Sequence, residues 1–180
     1  ASRLLSAEGE IESRKLRDGQ MEQEDLNKLA EAAVALAQTN IYIDDSSNVS
    51  PAMMRSKLMR IENLGLVFVD YLQLMSSDDK EKSKNRVLEV GDITRNLKIL
   101  AKDLGCPIVL CSQLSRISQD RKDKRPQLTD LRDSGAIEQD ADMVLFLHRE
   151  VYYDIGNTDL LNQAECIVAK NRPGAQETVK

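Results

Sequence analysis

A single carboxylate closes the most apolar stretch of the chain. Residues 64–75 read LGLVFVDYLQLM, and Asp70 comes directly after the hydrophobic run. The run is too short for a helix and apolar on both faces, which is typical of a strand in a sheet covered on both sides. Because an unpaired buried carboxylate is costly, Asp70 is expected at the strand end, beside water, a partner or a metal. In open parallel sheets, ligands bind at this carboxyl edge.

Asp70 fits more than one role. An aspartate at the end of such a strand is what a nucleotide triphosphatase uses to hold magnesium through its water shell. The same residue could simply cap the next helix. Asp44 and Asp45 also follow a β-branched run, so a position at a strand end does not single out Asp70.

Further polar residues follow other predicted strands. Gln113 closes the apolar run IVLCS at 108–112, and Lys170 and Arg172 lie two residues apart on another run, so they project to one face. Taken alone, Gln113 is an ordinary polar residue at a strand end, and Lys170 with Arg172 is a solvated basic pair at a hairpin. The basic residues at 116–125 are interspersed with Asp120 and Asp123, which favours a solvated loop.

The remaining pattern supplies the elements that position these residues. Helical periodicity and end signals predict short helices in residues 1–17 and longer ones over 21–38, 50–63 and 87–104, the last ended by Gly105. Strands are predicted at 41–45, 64–70, 108–112, 142–147, 164–170 and 177–180. The alternation of strands and helices predicts an α/β fold with crossover helices, and the length suits one domain, residues 1–180.

Composition narrows the function classes. The net charge of −5 gives no overall nucleic-acid signal, so any such contact must be local. The three cysteines and the single histidine do not form a zinc pattern, and reduced cysteines indicate a cytoplasmic protein. No apolar stretch approaches the roughly 20 residues of a membrane helix, so no membrane contact is expected.

Four sequence motifs occur together in a specific order. They are DYLQLM at 70–75, SQLSR at 112–116, DKRPQLTDLRDSGAIEQDAD at 123–142 and AKNR at 169–172. In order and spacing they resemble the motor domain of DnaB-type replicative DNA helicases, and RLLS and KLRDG near the start extend the similarity over essentially the whole chain. The resemblance implies a RecA-like ATPase domain with a mostly parallel sheet flanked by helices. It also implies a homo-hexameric ring that binds ATP between subunits and single-stranded DNA in its channel, with primase and a helicase loader as expected partners.

The resemblance assigns a role to individual residues. Asp70 matches the Walker B aspartate that positions magnesium, and Gln113 matches the residue that senses the γ-phosphate of ATP. Arg172 matches the arginine finger, with Lys170 as its companion, and both would reach the nucleotide of the neighbouring subunit. The segment that follows the DNA backbone is matched by Arg132, Asp133 and Gly135, whose arginine and backbone amides suit phosphate contact without base readout.

The chain also departs from the family pattern. None of its eight glycines precedes a lysine, so the phosphate-binding loop GxxxxGK[ST] is absent; in the family it lies upstream, and the chain resembles a domain truncated at its amino-terminal side. The chain alone is therefore expected to bind ATP weakly and not to hydrolyse it. The turn after Arg172 also differs from the family's usual form. Two alternatives stay open: a recombinase-type ATPase, and a non-catalytic RecA-like module for assembly or binding.

Overall fold

The computed structural model describes residues 2–79, 81–115, 121, 123–131, 135–153 and 163–179. By its internal contacts the chain divides into two compact units, Ala1–Asp45 and Ser46–Lys180. Whether both form one domain, as the sequence predicts, stays a prediction. All candidate site residues belong to the second unit.

The first unit consists of three helices. They are α1 (Ser2–Glu8), α2 (Ser13–Asp18) and α3 (Gln23–Ala37). Gly19 ends α2 in the left-handed conformation, with φ 70°, which glycine adopts without steric cost. The predicted strand at 41–45 is wrong: these residues form no strand, and Tyr42 is largely exposed. A β-branched run becomes a strand only where a neighbouring strand takes its backbone hydrogen bonds.

The second unit contains the remaining helices and all strands in the described part of the chain. They are α4 (Pro51–Leu58), β1 (Val67–Val69), α5 (Arg86–Leu104), β2 (Ile108–Leu110), α6 (Gly135–Asp140), β3 (Met143–His148), β4 (Glu165–Asn171) and β5 (Thr178–Val179). Short 3-10 helices span Leu72–Leu74, Lys82–Lys84, Leu128–Asp130 and Glu150–Tyr152.

Two helices have caps that the sequence encodes directly. Ser50 caps α4 by accepting from the Met53 amide, with Pro51 at the first helical position, but the helix ends at Leu58 and not near residue 63. The Asn85 side chain accepts from the first amides of α5, and Gly105 ends that helix in the left-handed conformation. The prediction for α5 is confirmed within one residue at its start.

The strands form one parallel pair and one antiparallel sheet. Strand β1 pairs with β2 in parallel, with Phe68 opposite Val109, whereas β3, β4 and β5 form an antiparallel meander. The mixed α/β class is confirmed. Within the described residues the pairing is not mostly parallel, because the hairpin from β4 to β5 and the pairing of β3 with β4 are both antiparallel.

The main core lies between α5 and the parallel pair. Its buried side chains are Met54, Val67, Leu72, Met75, Val90, Ile93, Leu97, Leu100 and Cys106. The expectation that β1 is covered on both faces is wrong, because Phe68 is 62% exposed on the face away from this core. Burial on the α5 side alone is enough to place the carboxyl ends of β1 and β2 together.

Candidate functional site

Asp70 lies at the carboxyl end of β1 with its side chain exposed, as predicted. The Cys111 amide donates to the Val69 carbonyl over 2.9 Å, and the Leu72 amide donates to the Cys111 carbonyl over 2.8 Å. These bonds continue the parallel ladder past the end of both strands. They hold Asp70 beside Cys111 at the edge where α/β sheets bind ligands.

The charge of Asp70 affects the pKa of the neighbouring thiol, that of Cys111. Burial raises the pKa of Cys111, and the carboxylate of Asp70 raises it further, because both disfavour the thiolate. In the described part of the chain, no three His, Cys, Asp or Glu side chains form a group that could hold a metal ion. The assignment of Asp70 to a magnesium site stays a prediction.

Gln113 follows β2, and its backbone is held by a side chain from the Asp70 segment. The Gln113 amide donates to Gln73 Oε1 over 3.3 Å, and Gln73 Nε2 donates to the Gln113 carbonyl over 3.4 Å. Gln73 Nε2 also lies 3.3 Å from Ser112 Oγ. The Gln113 side chain itself is exposed at the same edge as Asp70. No role was predicted for Gln73, although it is the fourth residue of the DYLQLM motif.

An ion pair between Arg121 and a buried carboxylate, Asp130, lies in the segment that begins after Gln113. Asp130 is 2% exposed, and its two carboxylate oxygens accept from the Arg121 guanidinium over 3.0 and 2.6 Å. The Ser115 amide donates to the Asp130 carbonyl over 3.0 Å, which brings the two ends of this segment together. The Gln127 amide also donates to Asp130 Oδ2 over 2.8 Å, so the same carboxylate caps the turn at Leu128–Asp130. Sequence reasoning missed Asp130, because its local sequence does not reveal that a distant arginine buries it.

The basic stretch at 116–125 is not simply a solvated loop where the structure describes it. Arg121 pairs with Asp130, and Arg125 forms two hydrogen bonds to Glu165, over 2.8 and 3.1 Å. The hydrogen bond to Glu165 raises the pKa of Arg125. These two cations therefore serve to attach the segment to its surroundings.

The residues matched to DNA contact are only partly described. Arg132 and Asp133 lie outside the described residues, and Gly135 is the first residue of α6. A Cβ atom at Gly135 would meet nothing within 4 Å, so packing does not require glycine there. Their assignment to DNA contact stays a prediction.

Lys170 and Arg172 lie on the same side of β4 and its continuation, as their spacing predicts. Lys170 Nζ donates to the Glu138 carbonyl, and Arg172 Nη2 donates to the Gln139 carbonyl over 2.7 Å. Both carbonyls lie at the carboxyl end of α6, where cations interact favourably with the helix dipole. Helix α6 thus begins at the residue matched to DNA contact and ends against Lys170 and Arg172.

The candidate site residues that the structure describes thus form two groups. One group, at the ends of β1 and β2, contains Asp70, Gln73 and Gln113. The other group, at the end of α6, contains Lys170 and Arg172. Within the described residues, no helix is long and apolar enough to cross a membrane.

Comparisons with known proteins agree on one family. The chain matches the family described as "DnaB-like helicase C terminal domain" over residues 1–180. It is 44% identical over 180 residues to "Replicative DNA helicase DnaC" of Bacillus subtilis (strain 168), and this match covers 98% of this chain and 39% of that protein. It is 43% identical to "Replicative DNA helicase DnaB" of Geobacillus stearothermophilus, covering 99% of this chain and 39% of that protein. The chain thus spans well under half the length of these relatives.

Solved structures give the same result. One, described as "The Structure Of A DnaB-Like Replicative Helicase And Its Interactions With Primase", has a TM-score of 0.91 and 37% identity, and covers 99% of this chain and 44% of that one. Another, described as an "ATPase Domain", has a TM-score of 0.88 and 37% identity, and covers 98% of this chain and 64% of that one.

Proposed function

The chain belongs to the DnaB-like helicase C-terminal domain family, as its motifs indicate, and from this membership we propose that it is part of the ATP-driven motor of a replicative DNA helicase. The motor moves on single-stranded DNA and unwinds the duplex. One observation carries the proposal: Asp70 and Gln113 lie at the same carboxyl edge of the parallel pair, where α/β sheets bind ligands. The finer fold is a RecA-like domain of which these residues are the carboxyl-side part.

Asp70 and Gln113 are proposed to act on the phosphates of ATP. Asp70 would hold magnesium through its water shell, and the ion would supply positive charge that neutralises the phosphates. Gln113 hydrogen-bonds the γ-phosphate with a neutral amide, which needs no charge to be desolvated. A carboxylate in its place would repel the phosphate.

Lys170 and Arg172 are proposed to act on the nucleotide of the neighbouring subunit in a homo-hexamer. A guanidinium that meets the transferring phosphoryl group stabilises its negative charge, which is worth roughly 10³ to 10⁵ in rate in other phosphoryl-transfer enzymes. The support here is that both side chains lie on one side of β4 and end at the same helix terminus.

Single-stranded DNA is proposed to follow the segment of Arg132, Asp133 and Gly135. Arginine and backbone amides contact phosphates and carry no base readout, so binding should depend on salt and not on sequence. Primase and a helicase loader are the proposed protein partners, and the cytoplasm is the proposed location.

ATP hydrolysis tests this function. The rate is measured with and without single-stranded DNA, for the 180-residue chain beside a chain extended by its natural upstream sequence through the expected phosphate-binding loop. The proposal predicts that only the longer chain turns over ATP and that DNA accelerates it. If neither chain hydrolyses ATP, the helicase motor is rejected in favour of the second alternative, a non-catalytic module for assembly or binding. If the short chain is active alone, the phosphate site lies elsewhere. A strand-pairing assay separates the helicase from a recombinase-type ATPase.

A further inference from the structure

We propose that Gln73 is a positioning residue for Gln113. It holds the backbone of Gln113 in the place from which that side chain meets the γ-phosphate. The inference rests on the proposed function, because it deepens the role given to Gln113 there. It assigns no contact between Gln73 and the nucleotide.

The carboxamide of Gln73 acts as one more peptide group in the ladder between the two segments. The last backbone hydrogen bond of this ladder joins the Leu72 amide to the Cys111 carbonyl, over 2.8 Å. At Gln113, two residues after Cys111, the backbone bonds to a side chain: Gln73 Oε1 accepts from the Gln113 amide, and Gln73 Nε2 donates to the Gln113 carbonyl. A carboxamide has one acceptor and one donor side by side, so it can bind both polar groups of one residue at once.

Gln73 is itself held by its neighbours in sequence. It is the central residue of the 3-10 helix Leu72–Leu74, and Leu72 and Met75 are both buried in the main core. The backbone that carries Gln73 is therefore fixed on both sides by packing. Its side chain is half-buried, so it is less free to move than a surface glutamine.

This arrangement joins the two proposed phosphate contacts through one short segment. Asp70 and Gln73 are three residues apart, and Gln73 holds Gln113, so the carboxamide and the backbone ladder together set the spacing between Asp70 and Gln113. A cavity of about 40 Å³ beside this contact is lined by Gln73, Gln113 and Asp130, among others. A shift of Gln113 would therefore disturb both its hydrogen bonds to Gln73 and the cavity that it shares with Asp130.

Two substitutions separate hydrogen bonding from packing. Gln73→Ala removes both hydrogen bonds to Gln113 and the one to Ser112 Oγ. Gln73→Glu keeps the shape and the acceptor but loses the donor, and it places a carboxylate against the Gln113 carbonyl. A role in packing alone would tolerate Gln73→Glu. Gln23→Ala is the matched control, because the exposed Gln23 carboxamide donates to Asn27 on its own helix, over 3.3 Å, and lies far from the site in sequence.

The experiment is a double-mutant cycle in the upstream-extended chain, read as ATP turnover in the presence of single-stranded DNA. Gln73→Ala and Gln73→Glu should each lower kcat about tenfold with the KM for ATP changed by less than about twofold, because positioning for the transition state is lost and ground-state binding is not. In a Gln113→Ala background, Gln73→Ala should lower kcat by no more than about twofold further. Gln23→Ala should leave both parameters unchanged.

The outcomes distinguish the inference from the proposed function. If Gln113→Ala keeps the full rate, the proposed role of Gln113 fails. If Gln113→Ala loses activity but Gln73→Ala and Gln73→Glu keep it, the inference alone is overturned. It is also overturned if Gln73→Ala costs the same factor in both backgrounds, because Gln73 then acts independently of Gln113. Thermal melting of each variant shows whether it is folded, and Gln73→Glu carries the test if Gln73→Ala is not.

Discussion

The guanidinium of Arg172 is paired with the carboxylate of Asp142 in its own chain. Arg172 Nη1 lies 3.2 Å from Asp142 Oδ1, and the Arg172 amide donates to the Asp142 carbonyl over 3.0 Å. Asp142 also pairs with Lys98. The hydrogen bond from Lys98 is the main reason why the pKa of Asp142 lies below its usual value, and the charge of Arg172 adds to it.

This pairing matters because Arg172 is proposed to act on a neighbouring subunit. The side chains of Arg172 and Asp142 are 52% and 56% exposed. An exposed pair of this kind contributes about 0–1 kcal/mol and is screened by salt. Arg172 can therefore leave Asp142 for a nucleotide at small cost, but it must also release its hydrogen bond to the Gln139 carbonyl. Until then these two contacts keep the guanidinium oriented.

The arginine–aspartate pairs formed by Asp142 and by Asp130 should differ strongly in their effect on stability. Asp142→Asn should lower the free energy of unfolding by less than about 1 kcal/mol, because the carboxylate is more than half exposed and solvent screens its pairs with both Arg172 and Lys98. Asp130→Asn should lower it by about 3 kcal/mol, because it leaves the Arg121 charge facing a nearly buried neutral group. Urea unfolding at low and high salt measures both. Equal losses for the two variants would contradict the burial argument.

Arg172→Ala should disable the site of the neighbouring subunit in a mixed ring. If the guanidinium acts in trans, each mutant subunit inactivates a site that it does not itself form, and stalled sites interrupt their neighbours. ATPase activity should therefore fall faster than the fraction of mutant subunits rises. Arg14→Ala serves as the control, since that side chain is 82% exposed on the first unit and should leave the rings fully active. A linear fall in activity would contradict action in trans.

Local sequence rules predicted the elements that end on a clear signal. Helix α5 begins next to the cap Asn85 and ends at Gly105 because a side-chain cap and a left-handed glycine act within one turn. The position of Asp70 at its strand end is confirmed, because burying an unpaired carboxylate inside the sheet would be costly. Such signals depend on neighbours in sequence alone.

The contacts that organise the site could not be predicted in this way. Gln73 meets Gln113 across 40 residues, and Arg125 meets Glu165 across the same separation. Glutamine and arginine are ordinary surface residues, so their types do not reveal which long-range partner they find. The prediction of a strand at 41–45 was wrong because it also depended on a long-range contact. Its residue types suit a strand, but no partner strand is present in the first unit as described.

Cys111 should report the charge of Asp70 through its reactivity. Alkylation requires the thiolate, and both burial and the Asp70 carboxylate raise the pKa of Cys111, so less thiolate is present at a given pH. Asp70→Asn removes the charge and lowers this pKa. The pH profile of Cys111 alkylation, followed by peptide mass spectrometry, should therefore shift to lower pH. The same measurement on the unsubstituted chain is the reference, and an unchanged profile for Asp70→Asn would contradict the coupling.

Arg132 and Arg125 should differ in how they affect the salt dependence of DNA binding. A side chain that contacts a phosphate releases counterions on binding, so Arg132→Ala should reduce the slope of log K against log salt by about 0.7 for single-stranded DNA. The loss should be the same for oligonucleotides of different sequence, because no base is read. Arg125 is the matched control: its guanidinium is bound to Glu165, so Arg125→Ala should leave the slope unchanged. Fluorescence anisotropy of labelled oligonucleotides across a salt series measures both. Equal slopes for wild type and Arg132→Ala would show that Arg132 does not contact the DNA phosphates. A reduced slope for Arg125→Ala would show that the preceding segment makes this contact.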